Sequence, residues 1–162
     1  MTTAVAPLVS SEELLRRAAE QQQEQLAAGV RLTTPPVSRL RVQSIEPTGA
    51  KGGRITGARA VFSFTVDPSD CNAWRTLHGG CVFTVFNAAG KITTAAVAAG
   101  ARNIVSTDLT THYLAGVPAG ATVSVEIECL RITRSVGFLR GSITDAAGTL
   151  CYVSMQNVSF EL

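Results

Sequence analysis

From His78-Gly79-Gly80-Cys81 the chain runs apolar to about Ala99, and every other segment has to be arranged around that run. Val, Phe, Ala, Ile and Thr fill it, Lys91 is its only charge, and no Pro interrupts it. The alanines at 95, 96, 98 and 99 favour helix. The pattern predicts one long helix, starting near Gly79 and apolar around most of its girth. Such a helix has to be wrapped rather than laid on a surface. The wrapping follows at once, because the chain past Gly100 is almost entirely strand-like.

Residues 104–114 are rich in Thr and Val, and Val117-Pro118-Ala119-Gly120 is a turn. Val123, Val125, Ile127 and Cys129 then alternate with Thr122, Ser124, Glu126 and Glu128, the period of a half-buried strand. Residues 136–144, a hairpin turn at 145–148 and residues 150–160 complete the series. Ahead of the helix, residues 37–45 predict a first strand ending at Pro47, with a turn at Gly49, Gly52 and Gly53. Ala60, Phe62, Phe64 and Val66 mark a second strand, closed by Asp67-Pro68-Ser69-Asp70. Short connections between the last strands require antiparallel neighbours. The expected fold is α+β, one curled antiparallel β-sheet around one long apolar helix.

Residues 1–9 read as a loose tail. Ser10 and Glu13 form a capping-box pair, and Leu14, Leu15, Ala18 and Ala19 follow at helical spacing. This extra N-terminal helix should run to about Ala28, with Gly29 as its stop. Its polar residues 20–25 suggest a peripheral element, and Pro35-Pro36 a break. Residues 1–36 are thus expected as tail and peripheral helix, and residues 37–162 as the main domain.

With 162 residues, 46% of them hydrophobic, the chain can bury one real core. Its slightly positive mean hydropathy suggests further burial in an oligomer. A net charge of +2 from scattered basic residues argues against nucleic acid. The one long apolar span carries Lys91 and opens on His and Gly, so no membrane span is expected. The N-terminus lacks a signal-peptide layout, and Glu12 and Glu13 argue against an import presequence. Cys71, Cys81, Cys129 and Cys151 show no metal-ligand spacing and are expected as reduced thiols, in a cytoplasmic protein without a metal.

A helix N-terminus offers unpaired N–H groups and a partial positive charge, and glycines there let a carbonyl oxygen come close. His78-Gly79-Gly80 is therefore a candidate oxyanion site, or else only a tight turn. Within the helix, Thr84, Asn87 and Lys91 fall on one polar stripe. His78 and Asn87 are nine residues apart, so they lie about 13 Å from each other along one helix. Serving one small reacting group together would require two copies side by side, each supplying one end.

Asn72 six residues before His78, the His-Gly-Gly turn, the polar position nine residues on, Val105-Ser106-Thr107-Asp108-Leu109 and Tyr113-Leu114 together resemble the hotdog-fold thioesterase superfamily. The likeness is to acyl-CoA thioesterases of the PaaI and thioesterase superfamily member 2 type, over about residues 37–160. It implies a homodimer or homotetramer that hydrolyses acyl-CoA or carrier-bound acyl thioesters. No separate cofactor is implied, since coenzyme A enters only as part of the substrate.

The resemblance assigns roles by position. The N–H of Gly79 would receive the thioester carbonyl, Asn72 would orient that thioester, and His78 would position the loop and substrate. Ser106 would help hold the attacking water. The remaining part is an Asp or Glu from the other subunit, acting as general base or nucleophile, and its position here is Asn87. An amide cannot take a proton from water near neutral pH. The sequence could be a variant that traps substrate, another group could be the base, or the domain could bind a thioester without hydrolysing it. Asp108 is the nearest carboxylate on the motif strand, and alternation would put it on the face of Ser106, though its family role is structural.

Further candidates have bland alternatives. Cys81, in the first helical turn, is either a thiol of lowered pKa or a small packed side chain. His112 reads as a packed strand residue. Trp74 would cover the acyl group or pack under its loop. Gly80, Thr84 and Trp74 are expected at the substrate. Arg131, Arg134 and Arg140 flank a strand junction near the family's nucleotide site, with Arg134 the choice for a coenzyme A phosphate. Hydrolysis of an acyl thioester is the leading function. A non-hydrolytic hotdog module that binds or folds an acyl or polyketide thioester is the alternative. A dehydratase is third, lacking the acid it would need on the helix.

Overall fold

The computed structural model describes residues 9–27 and 35–162; the tail expected before Val9 and the helix stop at Gly29 lie outside them. In chain order the elements are α1 (Ser11–Ala27), α2 (Pro35–Arg39), β1 (Arg41–Lys51), β2 (Arg54–Thr65), a 3-10 turn (Pro68–Asp70), α3 (Gly79–Val97), β3 (Arg102–Tyr113), β4 (Thr122–Ile132), β5 (Val136–Thr144) and β6 (Leu150–Glu161). One antiparallel sheet of order β1-β2-β4-β5-β6-β3 curls around α3, which packs against β2, β3, β4, β5 and β6. This is the expected hotdog arrangement.

The register follows from side-chain chemistry. Ala58, Ala60, Phe62 and Phe64 of β2, Val123, Val125 and Ile127 of β4, and Leu139 and Ile143 of β5 point inward and are buried. They meet Val82, Val85, Phe86, Ala89, Ile92 and Ala96 of α3, spaced so that they fall on one helical face. Each fully buried large apolar side chain contributes ~1.5–3 kcal/mol. By length and composition α3 could cross a membrane, yet most of it is enclosed by this sheet.

Three local expectations change. Residues 37–39, expected in the first strand, instead belong to the short helix α2 that Pro35-Pro36 opens, where proline's missing N–H would be unpaired in any case. β1 runs on through Pro47, which an edge strand tolerates, with a register shift between Pro47 and Gly49. α1 is peripheral only on its outer face. Leu14 and Ala18 belong to the common core, Gln22 donates to the carbonyl of Leu40, and Ser10 Oγ accepts the N–H of Glu13 at 3.2 Å as the cap.

Candidate active site

The entry to α3 is held from beneath. His78 N–H donates to the carbonyl of Asp70 (2.8 Å), and Leu77 N–H to that of Val117 (2.7 Å). Asp70 is buried; its carboxylate accepts from Arg39 of α2 and from the N–H of Asp67. His78 then caps the helix, its Nδ1 accepting the Gly80 N–H at 2.9 Å. The amides of Cys81 and Val82 both donate to the carbonyl of His78, at 2.9 and 3.1 Å. Among the described residues, Gly79 N–H is left as the first-turn amide without a partner. Since Nδ1 accepts, the neutral ring carries its hydrogen on Nε2.

Tyr113 of β3 braces this turn from the side. Its hydroxyl donates to the Gly79 carbonyl at 3.1 Å, and its ring would lie 3.2 Å from a Cβ placed on Gly79. The ring stacks edge-on against Tyr152, with centroids 5.9 Å apart, and Tyr152 Oη in turn accepts the N–H of Val117 at 3.2 Å. Asn72 organises the preceding loop. Its Oδ1 accepts from the N–H of Trp74 (3.0 Å) and from the N–H and hydroxyl of Thr76 (3.2 and 3.1 Å). Trp74 is 83% exposed, so it does not pack under that loop.

Halfway along α3 lies a second cluster. Ser106 Oγ donates to Asn87 Oδ1 at 2.6 Å, and Gln156 Nε2 donates to Ser106 Oγ at 2.8 Å. The same nitrogen faces the Asn87 backbone carbonyl at 3.5 Å. Gln156 is only 2% exposed, an inward polar residue on β6 between inward Ser154 and Val158. Gln156 is not among the candidates that motif and spacing single out. The signal was there: a polar side chain at an inward strand position needs a buried partner. Thr84, one turn before Asn87, spends its hydroxyl hydrogen on the Gly80 carbonyl at 2.8 Å.

Two groupings therefore form in one chain: His78, Gly79 and Tyr113 at the head of α3, and Asn87, Ser106 and Gln156 at its middle. They remain about 13 Å apart along the helix. Asp108 joins neither. The pairing with β6 shifts between Ser106 and Asp108, so the inward positions run Ile104, Ser106, Leu109 and Thr111. The bulge reverses the alternation, and Asp108 is exposed on the face opposite Ser106.

Cys81 is half-buried, and burial first, then the Asp70 charge, pushes its thiol pKa up, which fits the packed side chain rather than the activated thiol. His112 lies in β3 but is exposed rather than packed. Arg134 is exposed at the β4–β5 turn, while Arg140 is committed to Glu128.

A sequence profile of the thioesterase superfamily matches residues 75–152, from the site loop into β6. No curated protein sequence matches the chain. Among solved structures, mouse (Mus musculus) thioesterase superfamily member 2 shares 16% identity and superposes with a TM-score of 0.70 over 94% of this chain and 98% of that one. The E. coli PaaI protein from the phenylacetic acid degradation operon shares 14%, with a TM-score of 0.65 over 88% and 95%. A Streptococcus mutans protein bound to acetyl CoA also shares 14%, with a TM-score of 0.65 over 82% and 93%. At such identities these likenesses establish the fold.

Proposed function

We propose that the chain, whose residues 75–152 match the thioesterase superfamily, hydrolyses an acyl thioester at a site shared between two copies. Gly79 N–H of one protomer receives the thioester carbonyl oxygen, with Asn72 and His78 keeping the loop in place. Asn87 and Ser106 of the other protomer face the same carbon. Water adds to that carbon, the C–S bond breaks, and the acid and the thiol leave. The observation that carries this reading is the open Gly79 amide: every neighbouring first-turn N–H is already bonded. A donor aimed at a developing oxyanion is worth ~10²–10³ in rate.

Asn87 sets the pace. It cannot accept the proton that the attacking water must lose, and that proton passes to solvent or to the departing thiolate. Turnover should then fall ~10²–10⁴-fold below that of a carboxylate at the same place. The amide equally favours a second reading, a module that holds or folds an acyl or polyketide thioester without cleaving it. Coenzyme A release from a series of acyl-CoAs, measured for the native chain and Asn87→Asp, separates the two. Slow native turnover that rises steeply in Asn87→Asp supports hydrolysis. Tight binding of the same acyl-CoAs with no native turnover selects the module.

A further inference from the structure

We propose that Gln156 is a positioning residue that fixes the polarity of the Asn87 end of the site, so that Asn87 offers an amide N–H, and not its oxygen, to whatever occupies it. The argument is one of direction. A backbone carbonyl can only accept, so the end of Gln156 facing the Asn87 carbonyl must be its NH₂ group. That nitrogen also reaches Ser106 Oγ, which therefore accepts there and keeps its own hydrogen to donate. The hydrogen goes to Asn87 across 2.6 Å, so the atom of Asn87 turned toward Ser106 is Oδ1. Nδ2 is left pointing away from the network, with no partner among the described residues, on a side chain that is half-buried.

Burial makes the setting rigid. Gln156 is enclosed, and its Oε1 occupies the space a side chain on residue 90 would need: a Cβ on Gly90 would sit 1.9 Å from it. Reversing the Gln156 amide would bring two carbonyl oxygens face to face. Three donors thus point the same way, from β6 through β3 to α3, and end at the open face of the helix. The occupant's complementary atom is a hydrogen-bond acceptor, an acyl-side oxygen on the reading above. The wiring within the chain does not depend on that reading.

Side-chain amide exchange in the full-length protein tests it, with the Asn87 signals assigned from Asn87→Leu. In the native chain the Asn87 NH₂ should exchange as an open amide, while the Gln156 NH₂ is protected. In Gln156→Glu, read at a pH where the carboxyl 13C shift shows it ionised and so able only to accept, Ser106 turns to the new carboxylate and Asn87 swings its NH₂ onto Ser106. Its exchange should then slow by about tenfold or more, the equivalent of one hydrogen bond. A native Asn87 NH₂ that is already protected would overturn the proposal, and so would one unmoved in a folded Gln156→Glu. Should Gln156→Glu not fold or not ionise, the native measurement alone decides. None of these outcomes requires turnover, so a chain that fails to hydrolyse acyl-CoAs leaves this test intact.

Discussion

His78 Nδ1 accepts the Gly80 N–H at 2.9 Å, so the imidazole is committed to capping the helix it precedes. His78→Ala should lose ~0.5–2 kcal/mol of stability. His78→Asn supplies another capping oxygen and should recover most of that, with Gly79 N–H left in place. Urea unfolding of the three chains checks it; equal losses in both variants would show that the cap contributes nothing.

Arg39 and Asp70 tie α2 to the turn whose carbonyl holds His78. Removing the guanidinium strands a buried carboxylate. Arg39→Met should cost ~2–4 kcal/mol, less than a fully enclosed pair because Arg39 is partly solvated. Adding Asp70→Asn should restore part of the loss. Denaturant midpoints of the single and double variants give the answer, and a single-variant cost below about 1 kcal/mol would contradict it.

Two glycines should respond differently to alanine. At Gly141 a Cβ would lie 2.4 Å from Ser154 Oγ and 2.6 Å from the buried ring of Phe86, which has nowhere to go. Gly141→Ala should therefore lose ~1–3 kcal/mol. At Gly90 the obstacle is the far end of the enclosed Gln156, and the ~1 kcal/mol lost with its hydrogen bond to Ser106 offsets the ~1 kcal/mol that alanine gains in helix propensity. Gly90→Ala should melt near the native temperature and yet lose acyl-CoA turnover, because Gln156 is driven off Ser106. Thermal melts beside thiol-release assays distinguish the two.

Cys129 carries a pH signature. Burial pushes its thiol from the ordinary 9.0 up to about 11. The folded chain holds this proton where the unfolded chain releases it. Its contribution is thus complete below pH 9 and lost as pH rises through about 11. The slope should approach ~1.4 kcal/mol per pH unit in that window. The buried or half-buried Cys81, Cys151 and Tyr152 shift the same way, so the measurement is a difference. Cys129→Val, of similar volume, should flatten stability between pH 9 and 11 relative to the native chain.

The architecture was legible because α3 and the strands announce themselves by period. An apolar run too long for a strand needs a wrapping, and β4 alternates without interruption from Thr122 to Cys129. What escaped the sequence lay where backbone geometry breaks the period. The β3 bulge turned Asp108 out, an effect no count of alternate residues reveals. Gln156 escaped because its partners, Asn87 and Ser106, are distant in sequence and meet only when β6 and β3 pair beside α3. His78 and Gly79 were legible from the turn alone, whereas the brace from Tyr113 needed the sheet to close.

The claim that one site draws on two copies is tested by mixing disabled chains. Gly79→Pro removes the open N–H at the first helical position, where proline is accepted, and His78 at φ −64, ψ 136 already has the backbone a following proline demands. Ser106→Ala disables the other half. Each variant alone should release little coenzyme A thiol from an acyl-CoA that the native chain cleaves. Unfolded together and refolded as an equal mixture, they should regain about a quarter of the native rate, since half the dimers are mixed and each holds one intact site. A mixture no more active than the sum of its separate parts would contradict the shared site.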